Sequence, residues 1–363
     1  MSGNGASDRL VDGDWLEAHL DDPDLRIFEL NSAATDSYDA AHIPGAIGWQ
    51  WKEWCWDEAM RDFPSPEEFA RRCASQGVSN DSTVVVYGDP LQYGTYGWWV
   101  FTYLGHPDVR VLDGGKDKWL ADGRPVTTGR PAIAPATYTP NGPRNDAMRA
   151  RRDEVLAFIG KAEAGDGSLL DHRTIEEYRG ERVNMIGNPD VGAERAGRIP
   201  GAQHLFFEEL LNSDRSFKSV DELRAIFAER GATGAHEVVS YCRLSHRATL
   251  CYFAMTELLG WDKVRSYDGS WTEWGSLVGV RFQTLQHYPV GFGWLRIPRR
   301  VRGEISVVCR AFPLTPKPLS PRERGFWIRT GRTSPGCRPA RAGASPRRVP
   351  IRRPRPSGRR RSG

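Results

Sequence analysis

Cys242 opens the run Cys242-Arg243-Leu244-Ser245-His246-Arg247. A cysteine is a nucleophile only as its thiolate, and cations or a helix N-terminus nearby favour that form. Arg243, His246 and Arg247 place three candidate cations within five residues of the sulfur. Val238-Val239 precedes the run, while Leu250, Phe253 and Met255 follow it with helical spacing. Cys242 is therefore predicted in a short loop between a strand and a helix. The backbone N–H groups and the helix dipole at such a place favour negative charge. Burial as a small hydrophobe is the commoner fate of cysteine, but the clustered cations argue for a reactive thiol. The chemistry this predicts is nucleophilic and covalent.

The remaining polar candidates read as supporting structure. Cys55, Cys73 and Cys251 lack clustered cations and are expected to be buried, with Cys251 an oxidation partner only if folding brings it to Cys242. Cys309 and Cys337 lie near the C-terminus. Six cysteines without a C-x-x-C pair make neither a disulfide framework nor a zinc site. No motif calls for a metal or nucleotide, so no cofactor is expected. His42 sits in a turn, where a hydrogen bond is expected rather than metal binding. The segment Trp49 to Trp56 holds four tryptophans, read mainly as core and interface packing, with a wall over the sulfur as the functional alternative.

The elements that must position Cys242 occur twice. Ile43-Pro44-Gly45-Ala46 recurs as Ile199-Pro200-Gly201-Ala202, and Val84-Val85-Val86-Tyr87 as Val238-Val239-Ser240-Tyr241. Ser65 with Glu68, closing at Gly77, recurs as Ser219 with Glu222, closing at Gly231; both read as capping boxes ahead of an amphipathic helix. Asp113-Gly114-Gly115 and Trp119 recur as Asp268-Gly269-Ser270 and Trp274. The body is thus a tandem duplication, residues 8–128 and 150–280, joined by a Pro-containing linker at 129–149. Short apolar runs alternate with helical spacing in each half. That pattern predicts two α/β domains, each an open, mostly parallel sheet with helices on both faces. Reactive groups in such sheets lie beyond the carboxyl ends of strands, which is where Cys242 falls. The second half is longer between Asp171 and Pro200, and its run Gly187 to Gly197 is expected to be an irregular loop shaping the entrance to a cleft.

Composition sets the outer limits. The 363 residues carry a net charge of +4, which divides into unlike parts. Residues 281–363 hold twenty Arg and one Lys against two Glu, a net +19; the first 280 hold 29 basic against 44 acidic side chains, a net −15. An Arg/Pro-rich segment of that kind buries too little apolar surface to offset its ordering entropy, and disorder is expected there. With few aromatics among its arginines and no fold signature, it reads better as an extension, out-of-frame sequence included, than as a nucleic-acid arm. No stretch of about 18 apolar residues occurs, so no membrane span is expected. The first residues show no basic and apolar leader, which predicts a cytoplasmic protein.

Taken together and in order, these motifs resemble the tandem-domain rhodaneses, the thiosulfate and 3-mercaptopyruvate sulfurtransferases. The matching residues are His42 to Ala46, Arg198 to Ala202, Asp171-His172-Arg173 with Glu177-Tyr178-Arg179-Gly180, the Cys242 loop, and Asp268 to Trp274. The resemblance implies a catalytic second domain and a first domain without the thiol; here Gly88 stands opposite Cys242 in the repeat. It implies sulfane-sulfur transfer from thiosulfate to cyanide or a thiol acceptor through a Cys242 persulfide. The substrate-binding residues would be the loop Arg243, Leu244, Ser245, His246 and Arg247, together with Arg173 of the Asp-x-Arg element. Asp268 would support the loop. Arg243 directly after the cysteine resembles thiosulfate members, whereas mercaptopyruvate members carry small residues there. A phosphatase of similar fold would need arginine six positions after the cysteine, where Ala248 stands. A non-catalytic sulfur carrier is the remaining alternative.

Overall fold

The computed structural model describes residues 7–32, 36–57 and 59–284, and the strand residues 293–301 and 304–312. The chain divides into two compact units, Met1–Tyr288 and Pro289–Gly363.

The first unit contains two sheets. The N-terminal sheet holds β1 (Leu10–Val11), β2 (Leu25–Asn31), β3 (Ala46–Gln50), β4 (Thr83–Asp89) and β5 (Val109–Leu112) in the order β1-β5-β4-β2-β3, all parallel. The second holds β6 (Ser168–Asp171), β7 (Ala202–His204), β8 (Val238–Tyr241) and β9 (Val264–Ser266) in the order β7-β6-β8-β9, also parallel. Every residue of β6 and β8 is buried, as expected for strands covered on both faces. In the second sheet the chain passes from β6 to β7 on one side and then to β8 on the other. The switch point between β6 and β8 is the position where open α/β sheets gather ligands.

The duplication extends to individual hydrogen bonds. Glu29 pairs with Tyr87 across β2 and β4, and Asp171 with Tyr241 across β6 and β8. Tyr87 donates to Glu29 at 2.7 Å and accepts from the Ile43 amide at 3.2 Å. Tyr241 donates to Asp171 at 2.7 Å and accepts from the Ile199 amide at 3.2 Å. A buried phenol with both functions satisfied locks the Ile-Pro-Gly-Ala turn to the sheet in each half. The helix caps differ. Ser219 and Glu222 form a reciprocal box before Val220–Ala228. Ser65 accepts from the Glu68 amide, but the Glu68 carboxylate turns to Arg71 and Arg72 instead.

The halves meet along two helices, Gln92–Tyr103 and His246–Phe253. Trp98 packs edge-on against Phe253 at 4.8 Å. The first of these helices is buried on nearly all sides, which explains its apolar surface all round. The linker runs along the first half, where Tyr138 is buried and hydrogen-bonds His106. It ends at Arg149, whose guanidinium reaches Asp62 at 2.8 Å in the first half and Asp268 at 2.6 Å in the second. Asp268 is thus held across the interface between the halves.

The folded body continues beyond the composition break near residue 280. The Arg281 carbonyl accepts from the Trp274 indole at 3.0 Å, and Gln283 exchanges backbone hydrogen bonds with Arg198. In the second unit, β10 (Gly293–Val301) pairs antiparallel with β11 (Glu304–Phe312). The expectation of disorder otherwise falls on residues outside those described.

Candidate active site

Strand β8 delivers Cys242 to the carboxyl edge of the sheet, where the residue is only 1% exposed. The chain then turns through Ser245, which has a left-handed φ of 71°, into the helix His246–Phe253. Two neighbouring elements fix the loop by its carbonyls. The Trp271 amide donates to the Cys242 carbonyl at 3.0 Å, and the Thr272 amide and hydroxyl both donate to the Arg243 carbonyl. The Cys242 amide donates to Ser270 Oγ at 3.2 Å, and Ser270 Oγ in turn donates to the Tyr267 carbonyl at 2.8 Å. The first bond of the following helix starts at Thr249, whose amide reaches the Ser245 carbonyl. Among the described residues, the five amides from Arg243 to Arg247 have no acceptor in the protein. A loop whose carbonyls are tied down and whose amides are open is arranged to receive negative charge next to the thiol.

The three expected cations have three different fates. Arg247 is buried and makes a two-pronged ion pair with Glu177, at 2.7 and 3.0 Å. Burial works to raise the Glu177 carboxyl, but the Arg247 charge and hydrogen bonds outweigh it and hold the group below the usual range. Much of the Arg247 charge is therefore already compensated. His246 corrects the expectation of a cation. Its ring lies against Trp51 at 4.3 Å and against Tyr93 and Tyr96 at 4.4 Å. Burial first, then Arg247, Arg243 and Lys52, push its pKa down to about 3, so the imidazole is neutral near pH 7. Arg243 alone keeps a half-buried guanidinium whose bonds go to a backbone carbonyl, that of Val191 at 2.9 Å.

Arg173, which the resemblance gives as a substrate-anion ligand, is held inside the protein. It is fully buried, with Nε and Nη2 donating to Asp171 at 2.9 and 2.6 Å and Nη2 also to the Gly197 carbonyl at 2.6 Å, while Nη1 has no partner among the described residues. Its face packs 4.6 Å from the Trp271 ring. Its bonds to Asp171 and Gly197 tie β6 to the inserted segment. Leu244 packs against the core, and Ser245 hydrogen-bonds Ser266 at 3.2 Å. Cys55, Cys73, Cys242 and Cys251 are all free, and burial pushes the Cys55 thiol up to about 12 and the Cys251 thiol well above its ordinary value. His42 makes the expected turn hydrogen bond, to the Tyr38 carbonyl at 2.7 Å.

Several residues of the site were not singled out from the sequence. Tyr93 comes from the first half; burial and then the nearby Cys242 raise its phenol to about 12, so it stays protonated. The repeat carried the signal, since Tyr93 stands where Arg247 stands in the second half. The tryptophan segment divides between both readings. Trp49 stacks in the core on Trp54 and Phe101, while Trp51 faces His246 and Trp56 walls a cleft. That cleft, of about 1070 Å³, lies where the halves meet and is lined by Trp56, Arg61, Arg149, Thr272 and the inserted residues Asp190 to Glu194. The run Gly187 to Gly197 does contribute to a cleft wall. Cys242 itself does not line it; the connection is through Arg243, which touches both Val191 and Thr272.

The model of the rhodanese-like domain matches residues 12–122 and again 152–277. The chain belongs to the tandem rhodanese-like family. It is 45% identical over 272 residues to "Sulfur carrier protein TtuD" of Thermus thermophilus, covering 75% of this chain and 95% of that one. It is 41% identical over 281 residues to a Haloferax volcanii protein named "Putative thiosulfate sulfurtransferase", covering 76% and 96%. Among solved structures, the rhodanese-like chain superposes on YnjE with a TM-score of 0.67 at 26% identity, covering 77% of this chain and 69% of that one. The wild-type structure of EanB gives a TM-score of 0.67 at 23% identity, covering 76% and 69%, a likeness of fold alone.

Proposed function

We propose that this rhodanese-like protein moves sulfane sulfur from thiosulfate to cyanide or a thiol acceptor through a persulfide on Cys242. The observation that carries the reading is the Cys242 loop: an enclosed thiol followed by five amides with no acceptor among the described residues. The names of the relatives support sulfur transfer as the class of reaction.

In the first half-reaction, the Cys242 thiolate attacks the outer sulfur of thiosulfate. A new S–S bond forms on Cys242, the S–S bond of thiosulfate breaks, and its electron pair leaves with sulfite. In the second, the carbon of cyanide attacks the outer persulfide sulfur. A C–S bond forms, the persulfide bond breaks, and Cys242 departs as the thiolate with thiocyanate as product. No external oxidant or reductant enters, and the kinetics are ping-pong. The open amides stabilise the anionic persulfide as an oxyanion hole would an oxygen. Arg243 supplies the charge that meets the dianionic donor. The free described thiols fit a reducing, cytoplasmic setting.

A tight loop suits one sulfur atom. Its Cys-x5-Arg position is the buried Ala248, so no arginine is there to ring a phosphate. The second reading is a sulfur carrier that forms the same persulfide and hands it to a protein; the name of the Thermus thermophilus relative favours it.

The test is thiocyanate formation from thiosulfate and cyanide, with 3-mercaptopyruvate as the parallel donor. Wild type is expected to turn over thiosulfate, and Cys242→Ser to fall to background. Turnover with mercaptopyruvate alone would keep the persulfide and replace the donor. A wild-type protein that takes up sulfur from thiosulfate as a persulfide, yet releases it to no small acceptor, would establish the carrier reading.

A further inference from the structure

The segment that lengthens the second half ends against Arg243. The Val191 carbonyl accepts from Arg243 Nη2 at 2.9 Å. The next residue, Gly192, has φ +113° and sits against the same guanidinium. A Cβ added there would sit 2.2 Å from Nη2, 3.0 Å from Cζ and 3.2 Å from Nε. The first of these distances is closer than any tolerated contact, so Arg243 can hold its place only because residue 192 has no side chain. Arg243 Nε is buried and has no partner among the described residues. The guanidinium as a whole is half-buried, so its exposed edge is the part that can meet an anion.

The segment is braced well enough to act as a template. Arg195 donates to the Leu277 carbonyl at 2.7 Å and the Trp274 carbonyl at 3.1 Å, and its own carbonyl accepts from the Trp271 indole at 2.8 Å. At the other end, Asp190 Oδ1 accepts from the Val183 amide at 2.9 Å. The contact with Arg243 therefore hangs on a fixed frame, one that shares Trp271 with the carbonyl side of the Cys242 loop.

We propose that Gly192 is a positioning residue for the sulfur donor: with the Val191 carbonyl it fixes where the half-buried Arg243 guanidinium stands, and so where its charge meets a doubly charged donor anion. The inference rests on the reading of Arg243 as the donor's ligand. It makes selectivity for thiosulfate depend on a residue with no side chain, fifty-one positions before Arg243 in the chain.

The experiment compares Gly192→Ala, Gly187→Ala, Arg243→Ala and the double variant Gly192→Ala with Arg243→Ala, each assayed with thiosulfate and with 3-mercaptopyruvate. Gly187 lies in the same segment with φ +89° and has nothing within 4 Å of an added Cβ, so it carries the backbone strain without the collision. Gly192→Ala is expected to raise the thiosulfate KM by about tenfold or more, with kcat within about threefold. Its kcat/KM for cyanide should stay within about twofold, because ping-pong kinetics separate the half-reactions. Mercaptopyruvate, with one carboxylate, should lose less than thiosulfate. Gly187→Ala should stay within about threefold of wild type, and adding Gly192→Ala to Arg243→Ala should cost nothing more.

The inference is overturned if Gly192→Ala spares thiosulfate, if Gly187→Ala costs as much, or if the Gly192 and Arg243 losses multiply. If Arg243→Ala itself leaves thiosulfate kcat/KM unchanged, the underlying reading of Arg243 fails. A loss in Arg243→Ala with none in Gly192→Ala leaves that reading intact and removes the inference alone.

Discussion

His246 shows how a residue's surroundings decide its chemistry. In the sequence it is one cation of three beside a thiol; in the fold Trp51, Tyr93 and Tyr96 enclose it and its Nε2 has no partner among the described residues. Protonation would put a charge into that aromatic enclosure. The unfolded chain takes up this proton near pH 6.5 and the folded chain only at about pH 3. Between those values the unfolded state holds more protons, so stability falls as the pH falls through 6.5. The slope reaches about 1.4 kcal/mol per pH unit for one such group. His172, fully buried and pushed down to about 4 mainly by burial, adds a second contribution of the same sign. Denaturant titrations at pH 7 and pH 5 should show this loss. His246→Phe should flatten part of it, and an unchanged slope in that variant would mean His246 is not the buried neutral group described.

At the scale of elements, Glu177 joins two helices. Its carboxylate accepts from the Thr174 amide at 3.0 Å, closing the capping box of Ile175–Arg179. The same carboxylate grips Arg247 in the first turn of His246–Phe253. Removing one member of a buried ion pair leaves the other uncompensated, at a cost of about 3–5 kcal/mol. Glu177→Gln should therefore lower the unfolding free energy by that order, and the double change Glu177→Leu with Arg247→Met should cost less than the single one. Equal or greater loss in the double variant would show that packing, rather than the unpaired charge, dominates. Because Arg247 directly follows His246 in the loop's helix, Glu177→Gln should also lower sulfur transfer beyond its effect on stability.

For the whole molecule, the decisive contacts cross between segments far apart in the chain. Arg149 bridges Asp62 and Asp268, and the Asp113 carboxylate accepts from the Phe217 amide at 2.8 Å. The body closes with Arg281 to Gln283, which cover the Trp274 indole and pair with Arg198. A chain ending at Thr284 should keep the stability of the body. One ending at Gly279 strands the indole N–H and the Arg198 backbone groups, for a loss on the order of 5 °C in Tm. Thermal unfolding of the two truncated chains, read by circular dichroism, checks this. Equal midpoints would place the true edge of the fold at the composition break.

Much of this protein is legible in its sequence because the information is local or repeated. Apolar strands bounded by turns, paired Ser–Glu caps and two Ile-Pro-Gly-Ala turns at one offset define a duplicated α/β body. A cysteine between Tyr241 and a helical run places the thiol at a strand end. Those features follow from backbone propensity and the burial pattern of nearby residues. The states of the charged groups around the thiol do not, because they depend on residues brought together from distant segments. Glu177 takes up Arg247 from seventy positions away, the Gly197 carbonyl takes one arm of Arg173 from twenty-four, and the first half supplies the rings that keep His246 neutral. Gly192 reaches Arg243 from an insertion whose sequence marked a loop at a cleft but not its partner. A side chain's charge and reach are set by solvent exclusion and by its partners, and only the tertiary structure assigns those.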